Sequence, residues 1–418
     1  MNNYRLFLLF FILLMSFRNP LFLELFHPYF ELYLLIFFIP IIVFDSKRTL
    51  AIITTRSFLN ITLVWVFYVV LVTYFRSRFS FAFSSRILIY LFAGTYLFSV
   101  YGIKIFEYLS KWIYWLILLG IPLHVISLIN YDALFMLMKT IGVYSDDITS
   151  VIFFTLDRSL QDGMRYISFA WEPGPTAVAV IFGLIFNFTF HVINSKKYWL
   201  LALITVLLTK SVTGFILLLI VVFFTVINQR KVATKLLFLI SATVAFVFIA
   251  STQEYIEEKI NEDINEALNI ENVAQNRGRS EVTQGISRTG SLIIHFQDFL
   301  KYPVLGYGPN SELSFLNRSN LNIASGGLTN VMARYGSVIF FLFIVLSFKA
   351  ITSLKKFGLI FNRYVFWLSI LVVSISFVSI LLSPFYFLFL GSVISGKMKN
   401  IKKSTIKIQK SNRSTLHR

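Results

Sequence analysis

Apolar runs about as long as a bilayer is thick constrain this chain more than anything else in it, because a membrane core demands roughly 20 such residues per helix, each bonded within its own segment. Runs of this kind recur from Leu6 to Ala250 and again from Val331 to Ser395. Between them lies one long polar interval, from Ser251 to about Arg334. With 57% hydrophobic and only 14% charged residues, the chain could not cover a water-exposed surface, so a soluble globule is excluded. The reading is an all-α polytopic membrane protein of about 12 transmembrane helices, with one long outer loop that contains short helices.

Basic residues far outnumber acids, for a net charge of +18, and their placement decides what that means. Assigning the short loops alternately to two sides gathers Lys47, Arg48, Arg56, Lys104, Lys111, Lys196, Lys197, Arg230, Lys231, Lys235, Lys349, Lys355, Lys356, Arg363 and the lysine-rich tail on one of them. By the positive-inside rule that side is cytoplasmic and both termini lie there. The other side is close to neutral. The excess is therefore a topology signal, and nucleic acid drops out as a partner. With no cysteine in the chain, disulfides and thiolate chemistry drop out too.

In chain order, the run from Leu6 to Phe17 reads as a first membrane helix, since no small-residue cleavage site follows it. Further spans are expected near 29–44, 57–75, 83–100 and 112–130, with 101–111 as an inner loop. A sixth span starts near Pro175, and the stretch 197–228 is too long for one helix. Lys210, Ser211, Thr213 and Gly214 interrupt that stretch, which makes it a helix pair. A ninth span near 233–250 and three more near 331–348, 362–381 and 384–396 complete the count. The organisation expected is a membrane domain over 1–250, a lid over 251–330, three last spans over 331–396 and a basic tail over 397–418. Within the lid, Ile256, Ile260, Ile264 and Leu268 form one apolar stripe of an amphipathic helix.

The two sides also differ in the kind of base they use. The cytoplasmic loops favour lysine, whereas the outer side carries Arg18, Arg76, Arg78, Arg86, Arg158, Arg165, Arg277, Arg279, Arg288, Arg318 and Arg334. A guanidinium is a planar fork that grips phosphate or carboxylate at two points, which suits an outer surface to holding a diphosphate. Glu172 in "AWEPG" stands beside a membrane helix, where a carboxylate is costly unless paired or used, and burial would raise its pKa toward that of a general base. If 288–300 is helical, Arg288 and His295 share a face, and His295 becomes a proton acceptor or a phosphate donor. Asp146 and Asp147 read as solvated loop acids, and no phosphate-binding glycine loop, histidine metal pair or nucleophile elbow is present. No metal site and no cofactor are expected.

Two stretches carry a likeness. "GISRTGSLIIHFQDFLKYPVLGYGPNS" followed by "SGGLTNVMARYGSVIFFLFIVL" resembles the pattern of the Wzy-type O-antigen polymerase and O-antigen ligase superfamily, in which an arginine opens an outer helix, a P-x-x-G-x-G turn follows, and a polar stretch leads into a membrane helix at a glycine such as Gly336. "RYISFAWEPGPTAVAV" is similar to the arginine-to-EPG segment of the same superfamily. The resemblance implies a bacterial inner-membrane enzyme whose long loop is periplasmic and whose substrates are glycan repeat units on undecaprenyl diphosphate. It implies a metal-independent, inverting glycosyl transfer. A chain-length regulator membrane protein would be a partner beside the bilayer itself. Ligases of the superfamily carry a His-Asn pair about eleven residues before that glycine, where this chain has Ser325 and Gly326. A polymerase is therefore favoured over a ligase.

On this reading Arg288 and Arg165 hold the diphosphate leaving group, with Arg277, Arg279 and Arg334 assisting, and stabilise the charge that grows on it. Glu172 or His295 accepts the proton of the attacking hydroxyl. Tyr307 and Ser325 contact the sugars. A ligase, a lipid-linked oligosaccharide transporter and a structural membrane protein are the competing readings. The transporter would put charges inside its spans, and the structural protein would leave the arginine distribution unexplained.

Overall fold

The computed structural model describes residues 1–22, 30–145, 148–157, 165–170, 172–228, 240, 265, 288–314, 327–356 and 383–395. The chain begins with α1 (Asn2–Ser16), α2 (Phe30–Phe44), α3 (Ser46–Ile53), α4 (Arg56–Arg76), α5 (Phe81–Tyr101), α6 (Lys104–Ile129) and α7 (Tyr131–Ile141). A small antiparallel sheet follows, β1 (Val143–Ser145), β2 (Ile148–Val151) and β3 (Phe154–Asp157), in the order β1-β2-β3. Then come α8 (Pro173–Phe190), α9 (Ser195–Thr209), α10 (Val212–Asn228), α11 (Arg288–Lys301), α12 (Gly327–Lys356) and α13 (Pro384–Ser395).

This is a helical membrane protein. Among the described residues four helices, α4, α5, α6 and most of α12, are long and apolar enough to cross a bilayer, against the roughly twelve expected from hydropathy. The difference lies in helix length. Helix α2, 15 residues long and apolar apart from Glu31 in its first turn, rises only about 22 Å against a core of about 30 Å. The expected spans near 233–250 and 362–381, and the amphipathic stripe of the lid, fall outside the described residues. Two further expectations are corrected. The inner loop read over 101–111 shrinks to Gly102 and Ile103, because Gly102 turns the chain at φ 59° and Lys104 already starts α6. The fold is not purely α, since β1 to β3 fill part of the outer segment.

Packing follows what a lipid solvent allows. Apolar contact alone does not hold membrane helices together, so close backbone approach and buried polar bonds carry the association. Helix α8 is well enclosed, with Ala177 to Phe182 all buried, and it packs against α6, α9 and α10. Ser110 of α6 donates to the Gly183 carbonyl at 2.9 Å, and Tyr198 of α9 donates to the Ser110 carbonyl at 3.0 Å. Helices α5 and α13 touch backbone to backbone at Gly94 and Gly391, where a Cβ on Gly94 would collide with the Phe387 carbonyl and one on Gly391 with the Gly94 carbonyl. The predicted helix pair is present. Lys210 takes the left-handed conformation at φ 48°, and the chain turns there from α9 into α10.

Helix α12 is two helices joined at a break, because Gly336 sits at φ 70°, ψ 179°, a region essentially closed to side-chain-bearing residues. The break frees carbonyls that the turn after α11 collects. Tyr307 N donates to Ala333 O at 2.9 Å, Gly308 N to Arg334 O at 2.9 Å, and Ser337 N to Pro303 O at 2.7 Å. Gly306 and Gly336 are both needed, since a Cβ on the first would meet the Arg334 carbonyl and on the second the Val304 carbonyl. The P-x-x-G-x-G turn and the later glycine are thus two halves of one clamp. Helix α4 closes it: Tyr68 donates to Leu305 O at 2.9 Å and Arg76 Nε to Gly306 O at 2.9 Å.

Candidate functional site

The helix connections sort into two ends. At one end Arg5 bonds Asp45 at 2.7 Å and the Tyr96 hydroxyl at 2.8 Å, and the Tyr101 hydroxyl donates to Asn2 O at 3.2 Å. At the other meet the end of α1, the start of α2, the end of α4, the start of α5, the start of α8 and the clamp. Among the arginines expected on the outer side, those whose side chains are described, Arg18, Arg76, Arg78, Arg86, Arg165 and Arg334, belong to this second end.

Arg18 sits where a glycine would be cheapest. Helix α1 closes in a Schellman motif: Asn19 N donates to Leu14 O at 2.9 Å, Arg18 N to Met15 O at 3.1 Å, and Arg18 itself is left-handed at φ 54°. The fully buried Asn19 fixes this turn in place, donating to Phe169 O at 2.7 Å and Ile152 O at 3.1 Å. The strained position carries the Arg18 guanidinium into electrostatic range of Glu172 and Arg86. Water reaches the side chain, yet surrounding protein removes enough solvent to lower its pKa, helped by Arg86 and opposed by Glu172.

Arg86, two turns into α5, is ion-paired through Nε to Glu31 at the start of α2, and the Tyr90 hydroxyl donates to the same carboxylate oxygen at 3.4 Å. One turn before Arg86, the Phe83 ring stacks on Tyr335 at 5.1 Å and 13°. Arg334 lies over both rings, 5.4 Å from Phe83 and 5.9 Å from Tyr335. Its Nε and the Tyr335 hydroxyl are buried with no hydrogen-bond partner among the described residues. The end of the bundle thus holds Glu172, Arg18, Arg86 with Glu31, then Tyr335 and Arg334. Unbonded donors remain at the Arg334 end.

Several residues singled out from the sequence stand elsewhere. Arg165 donates through Nε to Thr209 O at 3.0 Å and through Nη2 to Lys210 O at 3.3 Å, satisfying carbonyls at the end of α9. Helix α8 starts at Pro173, two positions earlier than expected, and Glu172 is its N-cap residue, but its side chain makes no capping bond. Tyr307 is part of the clamp and buried, and burial pushes its hydroxyl up to about 12. His295 is 2% exposed, both ring nitrogens lack partners among the described residues, and burial pulls it down to about 4. No hydrogen bond or ion pair among the described residues links it to Glu172. Arg288 opens α11, two turns from His295. Arg277, Arg279 and Ser325 lie outside the described residues, as do Asp146 and Asp147. Among the described residues no three histidine or carboxylate side chains group as metal ligands.

Glu31, Arg86 and Tyr335 were not marked as site residues from sequence. A signal for the first two exists, since an acid in "FELYLLIF" and an arginine in "SSRILIYLF" are charges set into apolar runs, which mark a pair or a function. No family model, curated protein or solved structure matches this chain. The fold defines a helical membrane protein, with several arginines gathered at one end of its helices.

Proposed function

We propose that this protein is a membrane glycosyltransferase that joins glycan repeat units carried on undecaprenyl diphosphate, by a metal-independent inverting reaction at the non-cytoplasmic face of a bacterial inner membrane. The observation that carries the reading is a run of interactions at one end of the helix bundle, in which Arg18 feels Glu172 and Arg86, and Arg86 and Arg334 both feel Tyr335. Arg18 and Arg334 hold the diphosphate and neutralise the charge that develops as the sugar–phosphate bond breaks. Arg86, held by Glu31, adds positive field without changing partners. Glu172, within electrostatic range of Arg18, takes the proton of the attacking hydroxyl. Arg165 is spent on the carbonyls that end α9, and Arg288, at the start of α11, is assigned an assisting role. The shorter apolar helices are part of the proposal, crossing beside the four long ones to bring the count toward twelve, with both termini cytoplasmic.

The experiment is direct. Purified protein is incubated with lipid-diphosphate repeat units, with and without EDTA, and the products are sized. A ladder of chain lengths that survives EDTA is expected. Transfer of a single unit to a lipid core would point to a ligase instead, and no transfer to any acceptor would remove the enzymatic reading.

A further inference from the structure

We propose that the end of the bundle opposite the arginine end carries a binding surface for anionic phospholipid headgroups, built by α3 with the residues on either side of it. Helix α3 joins α2 to α4 there, and its eight residues fall into three sectors at helical spacing. Thr49 and Ile52 are buried, and on that side α3 packs on α5. Leu50 and Ile53 form an apolar flank, 64% and 41% exposed, and Phe44, the last residue of α2, is 76% exposed beside it. Lys47 and Arg48 form the other flank. Arg56, exposed at the start of α4, follows just past the end of α3. An apolar flank beside a basic one is the pattern of a helix at the membrane interface, whose apolar side chains enter the acyl region while lysine and arginine reach out to the phosphates.

Charge decides which lipid fits. Asp45 is the only acid between Glu31 and Glu107, and it is already shared. Its Oδ2 accepts from Arg5 at 2.7 Å, from the Tyr96 hydroxyl at 2.8 Å and from Arg48 at 3.3 Å. Two guanidiniums on one carboxylate leave a positive remainder, and among the described residues neither Lys47 nor Arg56 has an ion pair. A zwitterionic headgroup gains little from such a field, whereas a lipid with net negative charge is favoured by about fivefold for each base. The Asp45 contacts also tie α1, α3 and α5 to the end of α2, so the surface is in place before a lipid arrives. Bases that served only to orient the chain during insertion would leave the folded protein indifferent to headgroup charge. The surface lies away from Arg18 and Arg334, so its occupancy does not depend on the transferase reading.

Because the chain has no cysteine, Ala51→Cys, at an exposed position of α3, gives the full-length protein one attachment point for a fluorophore. In phosphatidylcholine vesicles, increasing fractions of acyl-brominated phosphatidylglycerol or acyl-brominated phosphatidylcholine quench the label, and the two curves give the relative affinity of the surface for each lipid. Phosphatidylglycerol should be preferred by about tenfold or more, and less so as salt is raised. Lys47→Gln and Arg56→Gln should each reduce the preference by about fivefold and together abolish it, while Lys47→Arg keeps it. Inorganic phosphate at matched ionic strength should not displace the lipid, since it brings the charge without the acyl chains. Both bases are exposed and unpaired among the described residues, so the variants should unfold at the parent's temperature. The salt series, run on the unaltered bases, keeps the test decisive if they do not. Equal quenching by the two lipids, a preference untouched by salt, one that survives the double variant, or displacement by phosphate overturns the proposal.

Discussion

Arg18→Gly separates the local cost of a functional residue from its use. Arg18 occupies the left-handed C′ position of a Schellman motif at φ 54°, where a side chain costs about 1–2 kcal/mol and glycine costs nothing. Glycine gives back about 0.5–1 kcal/mol through the extra freedom of the unfolded chain. The variant should therefore be as stable as the parent, or up to about 1 kcal/mol more so, with α1 intact. Its chemistry should suffer. A charge-assisted bond to phosphate is worth about 1.5–3 kcal/mol, so turnover of lipid-diphosphate repeat units should fall about 10- to 150-fold. Thermal unfolding in detergent and product sizing, run on the same preparation, read both quantities. Full activity in a stable variant would take Arg18 out of the mechanism. A variant that unfolds easily would refute the capping argument.

Other consequences concern the frame around the site. Gly336→Ala places a side chain in a glycine-only conformation and against the Val304 carbonyl, so thermal stability should drop by about 1–3 kcal/mol from backbone strain alone, with activity falling as Arg334 moves. Gly94→Val drives α5 away from α13, costing about 1–3 kcal/mol, and should be seen as earlier unfolding. His295, pulled from 6.5 to about 4 by burial, binds its proton more readily when unfolded, so its share of stability is present above pH 6.5 and lost as pH falls toward 4. The loss should be on the order of 3 kcal/mol, and unfolding of the parent and of His295→Leu measured across that range should differ in slope; parallel curves would contradict the shift.

How much of this was legible beforehand depended on whether the cause was local. The break at Lys210 could be read, because a lysine with Ser211, Thr213 and Gly214 interrupts an apolar run too long for one helix. So could the membrane class. The glycines of the clamp were visible as a pattern, but their reason was not: Gly306 and Gly336 are 30 residues apart and each is required by the other's backbone. The partners of the arginines were least legible. Nothing local says that Arg165 will serve the α9 carbonyls while Arg18 faces Glu172, since both are arginines near helix ends on the same side. The small sheet escaped because its strands are three or four residues long, too short for alternation to emerge from an apolar background.

The central claim is that the arginine end of the bundle binds a diphosphate, and ³¹P NMR titration of the purified protein with a short-chain prenyl diphosphate tests it without requiring turnover. A saturable shift of both phosphorus signals is predicted, markedly weaker in Arg18→Gly and in Arg334→Gln and retained in Arg78→Ala, whose partner Glu312 lies on the exposed rim at 2.9 Å. Equal binding by all four proteins, or none by the parent, would contradict it.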